Sequence, residues 1–299
     1  MITFRRFTKT FAAQPAVRDL SLEIAGGEAV ALLGPNGSGK TTTLKAAAGL
    51  IRPTSGDVLI GEPGVTARDP RARRALSFLP QRVAFPESLT GREVIDFYRR
   101  LRGVEPAAAD AALTLASLNG SSNRAISTYS GGMVQRLGLA VALLPSSPVM
   151  LLDEPTAALD PDGLCAFYSV IEHRKAAGQT ILFTSHQLGD AERLADRFAI
   201  LVEGTLAALL TARELGDRLA SRGVLRLRIE NAPADLFDRL RRLSPGATRA
   251  GDQWIVPGPA GSRPAVVDLV RESGASILGL TAEEGRLDVF YRDLVGGRS

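Results

Sequence analysis

Three features of the sequence predict an α/β fold with a helical subdomain set into it, followed by a small α+β domain. Short runs suited to buried strands, at 28–33, 149–152 and 179–186, alternate with helix-forming segments. The stretch 86–128 interrupts that alternation with helical periodicity. Beyond about residue 215, strands and helices begin again with a pattern of their own.

Taken in order, residues 3–24 alternate in the manner of strands, with Leu20, Leu22 and Ile24 on one face, and Gly26-Gly27 turns the chain into the run 28–33. Phe11, ahead of that run, either packs at an edge strand or stacks on a nucleotide base. Next comes Gly34-Pro35-Asn36-Gly37-Ser38-Gly39-Lys40-Thr41-Thr42, which fits G-x-x-x-x-G-K-[ST], the phosphate-cradling loop of nucleotide hydrolases. A helix-forming segment follows at 42–50. Glycines at 34, 37 and 39 let the backbone aim its N–H groups at phosphates, at a helix N-terminus whose dipole favours an anion. In this pattern Lys40 reaches the β- and γ-phosphates and the Thr41 hydroxyl binds magnesium. Lysine occurs only at 9, 40, 45 and 175 among 36 basic residues, so its place here stands out. A compact ammonium suits a cradle better than a planar guanidinium does.

A turn at 53–57 leads to a short strand at 58–60. The charged segment 68–74 precedes a strand over 75–81 that ends in Gln81. In the helical block, Thr90 and Glu93 form a capping box, and Val94, Phe97, Tyr98 and Leu101 recur at i, i+3, i+4, i+7, which predicts one buried face before Gly103 stops the helix. A second helix is expected over 106–118.

Tyr129-Ser130-Gly131-Gly132-Met133 opens a helix running to about 144, whose start either receives a phosphate or is simply a capped terminus. The run 149–152 delivers Asp153 and Glu154, an aspartate placed to hold magnesium and a glutamate placed to polarise an attacking water. The turn 155–161 carries Asp160, and the strand 179–186 ends in His186, at the same end as Asp153. His173, among polar helical residues, belongs on the surface. Strands at 198–202 and 205–210 flank Glu203-Gly204, and a linker helix is expected over 211–220. The last part reads as strands at 224–229, 253–256 and 277–280 with helices at 234–243, 265–273 and 287–294, and it carries no catalytic constellation.

Composition narrows the function classes. With 45% apolar residues in 299, core size is not limiting, and a net charge of +4 without a basic run argues against nucleic acid as partner. The single Cys165 excludes an internal disulfide framework or a cysteine metal cluster and suits a reducing cytoplasm. No secretory signal is expected at the N-terminus, and the most apolar region, 137–152, is broken by Pro145 and Pro148. Any membrane role is therefore expected to come through a partner.

The loop at 34–42, Gln81, 129–133, 152–155, 158–160 and His186 together resemble, in order and spacing, the ATP-binding cassette (ABC) family over about residues 1–215. The Ser-Gly-Gly element separates that family from other P-loop proteins. The resemblance implies a P-loop core of ABC ATPase type over 1–215 with its helical subdomain at about 83–145, and a separate α+β domain over 216–299. It implies an ATPase with ATP and Mg²⁺ as ligands. The nucleotide contacts would come from Phe11, Gly34, Asn36, Gly37, Ser38, Gly39, Lys40, Thr41, Thr42 and Gln81, with Ser130, Gly131 and Gly132 acting from the opposite subunit and Asp160 linking the two sites. Thr41, Gln81 and Asp153 would hold the metal, Glu154 would be the base, and His186 would sense the γ-phosphate. A homodimer, a separate membrane permease and a periplasmic accessory protein are the implied partners, at the cytoplasmic face of the inner membrane.

Two residues depart from the family pattern: Met133 replaces a glutamine and Ala158 a serine. Methionine cannot make the amide's hydrogen bonds. The C-terminal domain resembles that of ABC-2 exporter ATPases, and the runs 79–93, 100–103 and 129–139 are similar to the ATPase that serves copper-site maturation of nitrous oxide reductase. A generic exporter ATPase is the alternative, and a soluble ABC ATPase acting on ribosomes or DNA is a third.

Overall fold

The computed structural model describes residues 1–185, 187–283 and 290. The chain divides into two compact units, Met1–Leu209 and Leu210–Ser299.

In the first unit, β1 (Ile2–Phe11) and β2 (Gln14–Ile24) form an antiparallel hairpin whose alternation buries Leu20, Leu22 and Ile24 as expected. Strand β3 (Ala29–Leu33) is buried along its whole length and feeds the phosphate loop, after which comes α1 (Lys40–Ala47). Helix α1 begins two residues before the expected start because Gly39, at φ 100°, is its N-cap. Strand β4 (Ser55–Ile60) takes in part of the expected turn and pairs with β1 and with β5 (Val65–Thr66). The charged segment after it contains α2 (Pro70–Arg74), capped by Asp69, and leads into β6 (Leu76–Leu79).

The inserted subdomain packs α3 (Gly91–Arg102), α4 (Pro106–Leu115) and α5 (Gly131–Leu143) around Val94, Ile95, Leu113, Ile126 and Leu137. The Thr90/Glu93 capping box is present, with both halves formed. The predicted apolar face of α3 is corrected by burial: Val94 is enclosed, but Phe97 and Leu101 are 60% and 66% exposed. Ile95 takes the inward place, so the buried stripe is rotated from the one that spacing suggests.

The chain then returns to the core through β7 (Val149–Asp153), α6 (Pro161–Ala176), β8 (Thr180–Thr184), α7 (Leu188–Leu194), β9 (Arg197–Val202) and β10 (Thr205–Thr211). His173 lies exposed on α6. The six-stranded sheet has the order β10-β9-β3-β8-β7-β6, parallel from β9 to β6, and the four-stranded sheet has the order β2-β1-β4-β5. One apolar core joins the two sheets and α1, through Phe4, Phe7, Leu32, Leu44, Leu151 and Leu201 among others.

In the second unit, α8 (Ala212–Ala220) opens on a Thr211/Glu214 capping box and buries Leu215 and Leu219. Strands β11 (Val224–Glu230), β12 (Thr248–Ala250), β13 (Gln253–Pro257) and β14 (Ser276–Glu283) form an antiparallel sheet in the order β12-β13-β11-β14. With α9 (Leu236–Leu243) and α10 (Arg263–Glu272) it encloses Leu227, Leu240, Trp254 and Val270. The sequence reading lacked β12, whose three residues are all exposed and show no alternation. The helix expected over 287–294 falls almost wholly outside the described residues.

Candidate functional site

Parallel pairing fixes the site. The register aligns Leu32 with Thr184, Thr184 with Asp153, and Leu79 with Leu152, so β3, β8, β7 and β6 end along one edge of the sheet. The segments beyond those ends are the phosphate loop, Ser185, Glu154, and Pro80-Gln81. Ligands of parallel sheets gather at such carboxyl ends.

The loop keeps its shape because side chains are excluded from it. A Cβ on Gly34, at φ 147°, would lie 2.1 Å from Leu201 O, and one on Gly39 would lie 2.5 Å from Ala16 O. Glycine is therefore required at both positions. Pro35, Asn36 and Gly37 are exposed at the loop's tip, Ser38 is buried, and Thr41 and Thr42 are half-buried on the first turn of α1. The buried Lys40 ammonium donates to Gly34 O at 2.8 Å and Pro35 O at 3.0 Å. Desolvation pushes its pKa below the ordinary lysine value, while the charges of Glu154 and Asp153 pull it upward. The two acids thus act electrostatically on the lysine, which is the grouping the motif requires.

Asp153 is 1% exposed. Its Oδ1 accepts from the Thr184 hydroxyl at 2.7 Å, and that same hydroxyl accepts from the Glu154 N–H at 2.8 Å. Thr184 therefore holds the backbone of one acid and the carboxylate of the other. Asp153 Oδ2 has no partner, and neither has the buried Ser38 Oγ of the loop. Orphaned buried oxygens are costly unless a ligand or ion meets them, so the donor set fits a hard, oxygen-seeking cation such as Mg²⁺. Glu154 has a positive φ of 52°, a conformation that turns the chain sharply out of β7.

The remaining predicted residues are placed less centrally. Phe11 ends β1, pairs with Gln14, and is 48% exposed with Lys9 Nζ 4.8 Å from its ring centroid. Its hairpin continues to Ala16, whose carbonyl packs against Gly39, so the aromatic tip belongs to the same neighbourhood as the loop. Gln81 is exposed beyond β6, and Gln135 Nε2 of α5 donates to the adjoining Pro80 O at 3.4 Å. Ser130 caps α5, its hydroxyl accepting from Met133 N at 3.3 Å, and Ser130, Gly131 and Gly132 are all exposed. A Cβ on Gly131 would meet nothing within 4 Å, and one on Gly132 only Ser130 Oγ at 4.0 Å. Asp160 caps α6 by accepting from Gly163 N at 2.8 Å and lies 3.8 Å from the Arg136 guanidinium. His186 lies outside the described residues. Thr184 was missed in the sequence; its signal was a hydroxyl directly after the apolar run Ile181-Leu182-Phe183.

Comparison with known proteins agrees with this geometry. The ABC transporter family model matches residues 17–157. An uncharacterised ABC transporter ATP-binding protein, YxlF of Bacillus subtilis (strain 168), is 38% identical over 212 residues, covering 69% of this chain and 70% of its own. The chain belongs to the ABC transporter ATP-binding proteins. The daunorubicin/doxorubicin resistance ATP-binding protein DrrA of Streptomyces peucetius is 36% identical, covering 75% of this chain and 69% of its own. The linearmycin resistance ATP-binding protein LnrL of Bacillus subtilis (strain 168) is 26% identical over 99% of this chain and 98% of its own. Among solved structures, a dimeric post-hydrolysis state of an ATP-binding cassette bound to ADP and Pi superposes with a TM-score of 0.65 at 27% identity, covering 71% of this chain and 99% of that one. This ABC protein is accordingly an ATP-binding, ATP-hydrolysing subunit of the type that couples energy to transport. Among the described residues no helix is long and apolar enough to cross a membrane.

Proposed function

We propose that two copies of this ABC ATPase pair head to tail around two ATP molecules and drive a separate membrane permease in export. The observation that carries the proposal is the carboxyl edge of β3, β8, β7 and β6, where the phosphate loop, Thr184, the half-paired Asp153 and Gln81 converge.

In this reading Lys40 exchanges its bonds to Gly34 O and Pro35 O for phosphate oxygens, and the loop's backbone N–H groups complete the cradle. Magnesium would be held by Asp153, Thr41 and Gln81 and would neutralise charge on the β- and γ-phosphates. Glu154, fixed through its N–H by Thr184, orients the attacking water and accepts its proton. Phe11 offers an exposed ring to the base. Ser130, Gly131 and Gly132 face outward with room for a ligand brought by another surface, which supports their acting on the nucleotide of the second copy, with Asp160 at the contact. Closure is then favoured because ATP binds the paired state better than the open one.

Phe97 and Leu101, left exposed on α3 beside Glu93, Asp96 and Arg100, support a contact between the helical subdomain and an amphipathic segment of the permease. Such a contact would put the chain at the cytoplasmic face of the membrane, as this reading requires. The drug-resistance relatives support export of an amphiphilic small molecule. The nitrous oxide reductase pathway and a periplasmic accessory protein gain no support from those relatives, so the proposal stops at export. Glu154→Gln tests it: ATP binding persists, while turnover falls about 10²- to 10⁴-fold. Hydrolysis at the unaltered rate would remove Glu154 from the role of base.

A further inference from the structure

Between Glu154 and Asp160 the chain forms a loop with a proposed base at one end and a helix cap at the other. Ala157 N donates to Glu154 O at 3.4 Å and Leu159 N to Thr156 O at 3.1 Å, so Thr156 is the hub of the turn. Its hydroxyl donates to Asp190 Oδ2 at 2.5 Å. The other carboxylate oxygen, Asp190 Oδ1, accepts from the Tyr168 hydroxyl on α6, also at 2.5 Å. Asp190 is 5% exposed, in the first turn of α7, and Arg193 of the same helix covers the Tyr168 ring with its guanidinium 4.5 Å from the centroid.

A buried carboxylate is costly to keep unless its lone pairs are met, and here two hydroxyls from two other segments meet them. One side chain therefore ties three segments together: the loop through Thr156, α6 through Tyr168, and α7 through its own backbone. The Tyr168 phenol is pushed up to about 12, first by burial and then by its bond to Asp190, so it remains a donor throughout the neutral range.

We infer that Asp190 is a positioning residue: through Thr156 and Tyr168 it fixes the 154–160 loop, and with it the place of Glu154. The inference rests on the reading of Glu154 as the base. Without the knot, the loop keeps its ties at its two ends, at Thr184, Gly163 and Arg136, but loses the one at its middle, and the carboxylate drifts relative to the bound phosphate. Binding through the loop at 34–42 is unaffected, because that loop hangs from β3 and α1.

The test is steady-state ATP hydrolysis by the full chain, with thermal melting alongside. Asp190→Asn and Thr156→Val, each close to isosteric, lower kcat about 10- to 100-fold and leave KM for ATP within about twofold. Thr156→Ser, which keeps the donating hydroxyl, recovers most of the loss, and Tyr168→Phe falls between. An unaltered kcat in both Asp190→Asn and Thr156→Val overturns the inference. So does a Thr156→Ser enzyme as slow as Thr156→Val, or a loss of kcat accounted for by the unfolded fraction. Glu154→Gln measured in parallel separates the two readings: if it hydrolyses normally the base assignment fails, whereas if it alone is slow only the knot fails.

Discussion

The phosphate loop at 34–42 and the Ser130-Gly131-Gly132 turn use similar materials, glycine backbone and a hydroxyl at a helix N-terminus, yet their surroundings differ. The loop is enclosed by its own chain, with Leu201 O and Ala16 O where side chains would stand at Gly34 and Gly39, and with a buried lysine already bonded to its carbonyls. The Ser-Gly-Gly turn is exposed at all three residues and has open space where a Cβ would stand. The first shape is imposed from within the chain, and the second leaves room for something from outside. Glycine thus allows close approach of the protein's own backbone in one place and leaves open space in the other, the space that the proposed function gives to a ligand.

That contrast makes graded predictions. Gly34→Ala drives a Cβ into Leu201 O at a positive φ, and should cost about 3 kcal/mol or more of stability, read as a lowered denaturant midpoint. Lys40→Ala removes the charged donor and should weaken ATP binding by the single chain about 10- to 100-fold, measured with a fluorescent nucleotide, with little change in melting. Thr184→Val leaves Asp153 Oδ1 and the Glu154 N–H without their shared partner, and should destabilise the fold by about 1–3 kcal/mol while slowing turnover. Gly131→Ala, with nothing within 4 Å of its Cβ, should alter stability by no more than about 0.5 kcal/mol. A large loss of stability in that last variant would mean the turn is shaped from within, as the loop is.

How far the sequence revealed this arrangement follows from what each feature depends on. The loop motif and the apolar run before it were legible because both are local: spacing of glycines, and burial of every residue of β3. The capping box at Thr90 was legible for the same reason. The exposed Phe97 and Leu101 were not, since a single helix face wide enough for Val94, Ile95, Phe97 and Leu101 can be buried on either side, and only packing against α4 and α5 decides which. Nor was the Thr156–Asp190–Tyr168 knot legible, because its members are separated by 34 and 22 residues and meet only when α6 and α7 are folded against the sheet. The start of α1 moved to Lys40 for a conformational reason, the left-handed Gly39 cap, that hydrophobic periodicity does not register.

The central claim is that the cradle is complete in one chain and the Ser-Gly-Gly turn works only on a second. The most direct measurement is the mass in solution, by light scattering with ATP and Mg²⁺, of Glu154→Gln chains with and without Gly132→Asp, beside their nucleotide content. Both variants should bind ATP, Glu154→Gln alone forming dimers and the variant that also carries Gly132→Asp remaining an ATP-loaded monomer. Loss of ATP from the monomeric double variant, or dimers that persist in it, would contradict the account.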